Sequence, residues 1–185
     1  MGDWDENALT SIFTRITLVK TPICSVCLTS DILCTGCESK FKSGEISEGD
    51  ILMSRALMKL SESHSTIEHA EFKRTISHKG MFLVIVPRGF ARNFIGKNGI
   101  FIKELSEILK TRKIKIVEET NNPRELIERI VYPANLLGVN VVYTGKKPSY
   151  KVRIPHADRI RIHDPKVLEE LFEQLLNSKT AIIFE

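Results

Sequence analysis

The sequence predicts an α+β chain in three parts, a four-cysteine metal knuckle followed by two copies of one small sheet-and-helix module. Three observations predict it. All four cysteines fall within 14 residues, as Cys24-Ser-Val-Cys27 and Cys34-Thr-Gly-Cys37. The order helix, strand, strand, short helix, turn, helix, strand is met twice, about 70 residues apart, and the first copy's turn is the glycine-bounded Gly96-Lys-Asn-Gly99. The boundaries that follow are 1–45 for an N-terminal strand and the knuckle, 46–121 for the first module and 122–185 for the second.

At 185 residues and 42% hydrophobic, the chain has room for small domains with real cores and is not a disordered protein. No run approaches the ~20 apolar residues of a membrane span. Met1-Gly-Asp-Trp-Asp-Glu6 is acidic, with no apolar signal core, so the expected place is the cytoplasm. Net charge is only +4 but uneven. Residues 24–50 and 167–185 each sum to −3, whereas residues 87–103 hold Arg88, Arg92, Lys97 and Lys103 without an acid. Residues 146–166 carry seven basic residues against Asp158 and Asp164, a net of +5. Two basic islands point to a polyanion partner, with solvated loops as the plain alternative.

Taken in order, residues 7–20 are rich in β-branched side chains and read as a short strand leading into the cysteines. Each Cys-x-x-Cys places two thiolates on one side of a tight turn, and two such turns complete a tetrahedron around Zn2+ through Cys24, Cys27, Cys34 and Cys37. Four sulfurs leave no open position, so the zinc is expected to be structural. A redox pair or two disulfides are the alternatives, and a reducing compartment argues against both. So small a piece draws its folding energy from the metal, which makes Cys34→Ser expected to unfold the N-terminal region alone.

Ser47-x-x-Asp50 then opens an amphipathic helix over about 48–61, with Ile51, Leu52, Ala56, Leu57 and Leu60 at helical spacing. Glu71–Ser77, the turn His78-Lys-Gly80 and Met81–Val86 read as a hairpin. His64, His69 and His78 cluster loosely and are set aside as ligands. A short helix runs from Pro87 to about Ile95, and after the glycine turn a second carries Ile102, Leu105, Ile108 and Leu109, closing with the strand Lys113–Val117. Glycines suit a loop where backbone N–H groups meet a phosphate, and the following helix start adds a favourable dipole. An ordinary helix-helix turn would use them too.

The second copy begins with Asn122 as cap, Pro123 in the first turn and an apolar face of Leu126, Ile127, Ile130 and Val131. Val139–Tyr143 and Tyr150–Ile154 form a hairpin across Gly145–Pro148. Pro155 to Ile162 leads to His163-Asp-Pro-Lys166, where Asp164 and Pro165 start a helix with Val167, Leu168, Leu171, Phe172, Leu175 and Leu176, and Ala181–Phe184 is the last strand. No glycine stands where the first copy has two.

This order resembles the type II KH module, three helices on one face of a three-stranded sheet, with nucleic acid along the groove beside the Gly-x-x-Gly turn. The stretch Val117-Glu-Glu-Thr-Asn-Asn-Pro-Arg-Glu-Leu-Ile127, with Pro133-Ala134 and Gly138-Val-Asn-Val-Val142 beyond, resembles the junction between the tandem KH modules of archaeal NusA-like transcription factors. The likeness covers roughly residues 48–185. It implies single-stranded RNA binding in transcription elongation or termination, with the phosphate-contacting positions at Gly96, Lys97, Asn98 and Gly99. Ile95, Arg88, Arg92 and Lys103 flank that loop, and Lys146, Lys147, Lys151, Arg153, Arg159 and Arg161 extend the path. The second loop departs from the pattern, and the bacterial protein's polymerase-binding domain and β-barrel RNA module have no counterpart, so polymerase binding is not carried over.

Two functions of different class follow. One is a non-enzymatic RNA-binding factor. The other is a protein-interaction adaptor, in which the knuckle and second module bind RNA polymerase or ribosome-associated protein. No His/Asp/Ser constellation, Walker pattern or open metal position speaks for an enzyme or a small-molecule substrate.

Overall fold

The structure, a computed structural model, describes residues 19–64, 67, 69–111, 113–143, 147–162 and 164–185. The chain divides into two compact units, Met1–Glu118 and Glu119–Glu185, each an α+β assembly with its own three-stranded sheet. Of the strand expected over residues 7–20, all but the last two residues lie outside the described ones. Lys20 forms an isolated bridge with Glu71.

Unit 1 opens with α1 (Ser25–Thr29) and α2 (Thr35–Lys42). The tight turns expected around the cysteines are therefore helix starts. Cys24 and Cys34 are extended residues at the two N-caps, a position that favours a short side chain able to accept from the first turn's N–H groups. α3 (Glu48–Ser63) follows, with the expected reciprocal cap: Ser47 Oγ accepts from Asp50 N–H at 3.1 Å and Asp50 accepts from Ser47 N–H at 2.8 Å.

Strands β1 (Arg74–His78) and β2 (Met81–Val86) pair antiparallel across Lys79-Gly80, both at positive φ, the backbone a two-residue hairpin turn requires. α4 (Ala91–Ile95), a 3₁₀ turn (Lys97–Gly99) and α5 (Ile100–Ile108) then cross over to β3 (Lys113–Glu118), which pairs parallel to β2. Phe82, Val84 and Val86 on one face of β2 form a core with Met53, Ala56, Leu57 and Leu60 of α3, Phe94 of α4, and Phe101 and Leu105 of α5. Each of the larger of these side chains, fully withdrawn from water, contributes roughly 1.5–3 kcal/mol. On α5 the buried stripe is Phe101 and Leu105, with Ile108 and Leu109 packed against it. Ile102, expected on that face, is only half-buried, because the helix begins at Ile100 and sets Phe101 inward instead.

A second cluster holds Ile23, Cys27, Leu28, Cys37 and Ile46 against Ile51 and Met58 of α3. The cysteine segment thus shares a core with the first repeat, where the sequence suggested a piece held by metal alone. Sharing one helix between two cores gives so short a segment apolar area that it could not enclose by itself.

Unit 2 repeats the order. α6 (Pro123–Val131) starts behind Asn122, whose side chain accepts from Arg124 N–H at 3.0 Å. β4 (Gly138–Tyr143) pairs antiparallel with β5 (Pro148–Ile154), a 3₁₀ segment (His156–Arg161) and α7 (Pro165–Leu176) follow, and β6 (Thr180–Phe184) lies parallel to β5. Among its buried side chains are Leu126, Ile127, Ile130 and Val131 of α6, Val152 and Ile154 of β5, and Val167, Leu168, Leu171 and Phe172 of α7. Among the described residues no helix is long and apolar enough to cross a membrane.

Candidate functional site

The four cysteine sulfurs lie within 4.8 Å of one another. Cys24 Sγ is 3.5 Å from Cys27 Sγ and 3.7 Å from Cys34 Sγ, close to the edge of about 3.8 Å that a tetrahedron of Zn–S bonds near 2.3 Å would have. The cysteines are free, with sulfurs far beyond the ~2.05 Å of a disulfide. Backbone amides are turned onto them: Cys24 N–H donates to Cys37 Sγ at 3.4 Å, Cys34 N–H to Cys27 Sγ at 3.1 Å and Cys37 N–H to Cys34 Sγ at 3.5 Å. Such outer bonds fix sulfur orientation and favour thiolate.

Cys27 and Cys37 are buried while Cys24 and Cys34 are exposed. Burial pushes the Cys27 thiol up to about 12 and raises that of Cys37, whereas the Cys37 backbone N–H draws Cys34 down to about 7. Both buried sulfurs therefore need a cation to stay ionised at neutral pH, and binding one releases protons. The donor set fits a soft tetrahedral ion such as zinc. One zinc per chain is the expected result of metal analysis on protein grown with zinc available, and four titratable thiols with no bound metal would overturn it. Of the histidines, His64 directs Nε2 at the Glu104 carboxylate, 3.0 and 3.1 Å from its oxygens, and no histidine joins a ligand cluster among the described residues.

The Gly96–Gly99 loop joins α4 to α5. Gly96 N–H closes α4 on the Arg92 carbonyl at 2.9 Å. Gly96 itself has φ 70° and ψ 175°, a region open essentially to glycine alone, and Asn98 (φ 57°) and Gly99 (φ 74°) are left-handed. The amides of Lys97 and Asn98 stand ahead of the first bonds of the turn, which run from Gly99 N–H to the Gly96 carbonyl and from Ile100 N–H to the Lys97 carbonyl. No side chain caps the start of α5.

A reason for Gly96 that the sequence did not disclose is Phe101. A Cβ on Gly96 would stand 2.6 Å from that ring. His64 lies against the other part of this arrangement, its ring centroid 4.9 Å from that of Phe101.

Arg88, Arg92, Lys97, Asn98 and Lys103 are exposed, and Ile95 is 39% exposed. The linear charge count overlooked one acid here: Glu118 reaches back to accept from Gly89 N–H at 2.9 Å.

In unit 2, Lys146 lies outside the described residues. Lys147 donates to Asn177 Oδ1 at 2.9 Å, Lys151 is exposed on β5, and Arg153, two residues on and so on the same face, grips Glu185 with bonds of 2.7 to 3.0 Å. That grip holds the Glu185 carboxyl below the usual range. Arg159 lies over the Phe184 ring, 5.2 Å from its centroid, and Arg161 pairs with Asp158 at 2.9 Å. Asp158 is buried, and the Asn135 backbone N–H, with that side chain's amide, keeps its carboxyl low. Much of the +5 segment is thus engaged within its own unit. Asp164 caps α7 by accepting from Lys166 N–H at 2.9 Å, as expected.

No family model matches the chain, and no curated protein matches it. Among solved structures, the crystal structure of APE1850 is similar at a TM-score of 0.54 and 16% sequence identity, covering 71% of this chain and 96% of that one. At that identity the likeness is one of fold.

Proposed function

We propose that the chain is a non-enzymatic, single-stranded RNA-binding factor of the NusA-like kind, with two type II KH-like modules and a structural zinc, acting in transcription elongation or termination. The observation that carries this reading is the Gly96–Gly99 loop: two backbone amides ahead of an uncapped helix start, beside exposed Lys97, Asn98, Arg92 and Lys103. Amides at a helix start and nearby cations suit a phosphate, and the repeated mixed sheet with its helix-turn-helix crossover supports the module assignment. In the second module the Asp164 carboxylate takes the corresponding place at α7, so Lys147 and Lys151 contact the strand by charge alone.

Replacing Lys97 and Asn98 together by aspartate puts two negative charges where the phosphate would sit. Affinity for a short unpaired oligonucleotide should fall at least about tenfold, roughly 1.4 kcal/mol, with the melting temperature little changed. Full retained affinity would make the loop a structural turn. The adaptor reading would then gain, and it rests on Val26 and Ile32 of the cysteine segment, which are apolar and 64% and 79% exposed.

A further inference from the structure

We propose that the four-cysteine centre and the Gly96–Gly99 loop form one cooperative unit joined through α3, so that occupancy of the centre sets the competence of the loop. α3 is buried on two sides. Ile51 and Met58 belong to the cluster that contains the ligand residues Cys27 and Cys37, whereas Met53, Ala56, Leu57 and Leu60 belong to the core that contains Phe101 and Leu105 of α5.

Arg55 is the joint on the first side. From the middle of α3 its Nε donates to the Cys27 carbonyl at 3.3 Å and its Nη2 to the Ser30 carbonyl at 2.7 Å, satisfying carbonyls at the end of α1 that no helical N–H can reach. His64 is the joint on the second side. It follows the last residue of α3, bonds Glu104 of α5 and lies against Phe101, and Phe101 fills the space that a side chain on Gly96 would need.

Metal binding at such a site is folding free energy for whatever packs on it. Without the ion, the buried sulfurs of Cys27 and Cys37 lose what draws the two knuckles together. Release of α1 and α2 then uncovers Ile51 and Met58 and leaves the Arg55 guanidinium without its carbonyls. The loss falls on the helix that supports the loop. This departs from the expectation that damage at Cys34 stays within the N-terminal region. The coupling to stability stands by itself, and only its last link, to affinity, rests on the nucleic-acid reading above.

The test uses the full chain, zinc-loaded and chelator-stripped, and follows amide hydrogen exchange in peptides covering β2 and α5, with β5 of unit 2 as internal reference. Stripping should raise exchange at β2 and α5 by about tenfold or more, leave β5 unchanged and weaken binding of a short single-stranded RNA by about tenfold. Arg55→Met keeps all four sulfurs, so it should still bind one zinc, yet lose most of the difference between loaded and stripped protein. Unchanged exchange at β2 and α5 on stripping overturns the proposal, and a full difference retained by Arg55→Met overturns the role of Arg55. Should that variant not fold, the chelator arm decides on the unaltered protein. A loaded protein that binds no oligonucleotide removes the nucleic-acid reading, while the exchange result still decides the coupling.

Discussion

Asp50→Ala should destabilise unit 1 by about 3–5 kcal/mol, read as a large drop in the chain's first unfolding midpoint. Asp50 is 3% exposed, and its carboxylate serves two elements at once. Oδ2 accepts from the Ser47 N–H and Oγ, each at 2.8 Å, and Oδ1 accepts from Thr75 Oγ1 at 3.0 Å and from the Thr75 N–H. The same group therefore caps α3 and ties it to the outer strand β1. Alanine leaves the Thr75 amide buried without an acceptor and removes a charge well placed at the helix start, losses larger than the ~1 kcal/mol of an exposed cap. Asp50→Asn keeps the shape and one acceptor, so its cost should be about half. A negligible cost for Asp50→Asn beside a large one for Asp50→Ala would show that volume, not hydrogen bonding, is what Asp50 supplies.

Gly96→Ala should cost roughly 2–6 kcal/mol and lower nucleic-acid affinity with it. Two penalties combine: a backbone conformation worth about 1–3 kcal/mol of strain to any other residue, and overpacking of about 1–3 kcal/mol against a buried ring. Phe101 is 9% exposed, and the His64 ring packs on it with centroids 4.9 Å apart. Gly99 is the internal comparison. Its φ of 74° is ordinary left-handed backbone, and a Cβ there would meet nothing closer than Ile102 at 3.6 Å, so Gly99→Asn should cost about 1 kcal/mol or less. Melting curves of the two variants decide the matter, and similar losses would refute the Phe101 argument.

These contrasts mark what a sequence can disclose. The caps at Ser47, Asn122 and Asp164 were legible because a cap is settled within three residues, and the Lys79-Gly80 hairpin because its turn has its own chemistry. The cysteine cluster was legible for the same reason of spacing. What was hidden is contact between residues far apart in the chain: Asp50 with Thr75, Arg55 with Cys27, His64 with Glu104. No local pattern encodes those, since each depends on which helix face the folded core happens to present. The basic island of unit 2 was legible as charge but not as geometry, for Arg153 meets Glu185 at the far end of the unit, while Arg161 meets Asp158 of the same stretch.

The two helix starts, one open at α5 and one closed by Asp164 at α7, have a consequence in the language of counterions. A nucleic-acid strand carries a condensed layer of cations, and a protein gains free energy by letting them go. Over the open start, a phosphate can exchange its cation for protein amides and Lys97. Over the closed start it would meet a carboxylate and have to keep its cation, so no ion is freed there. On the reading proposed above, the chain carries two copies of one scaffold, of which the α5 start offers an exchange point of this kind and the α7 start does not, and ionic strength should act on the grip of the first copy's loop far more than on the α7 end of the second.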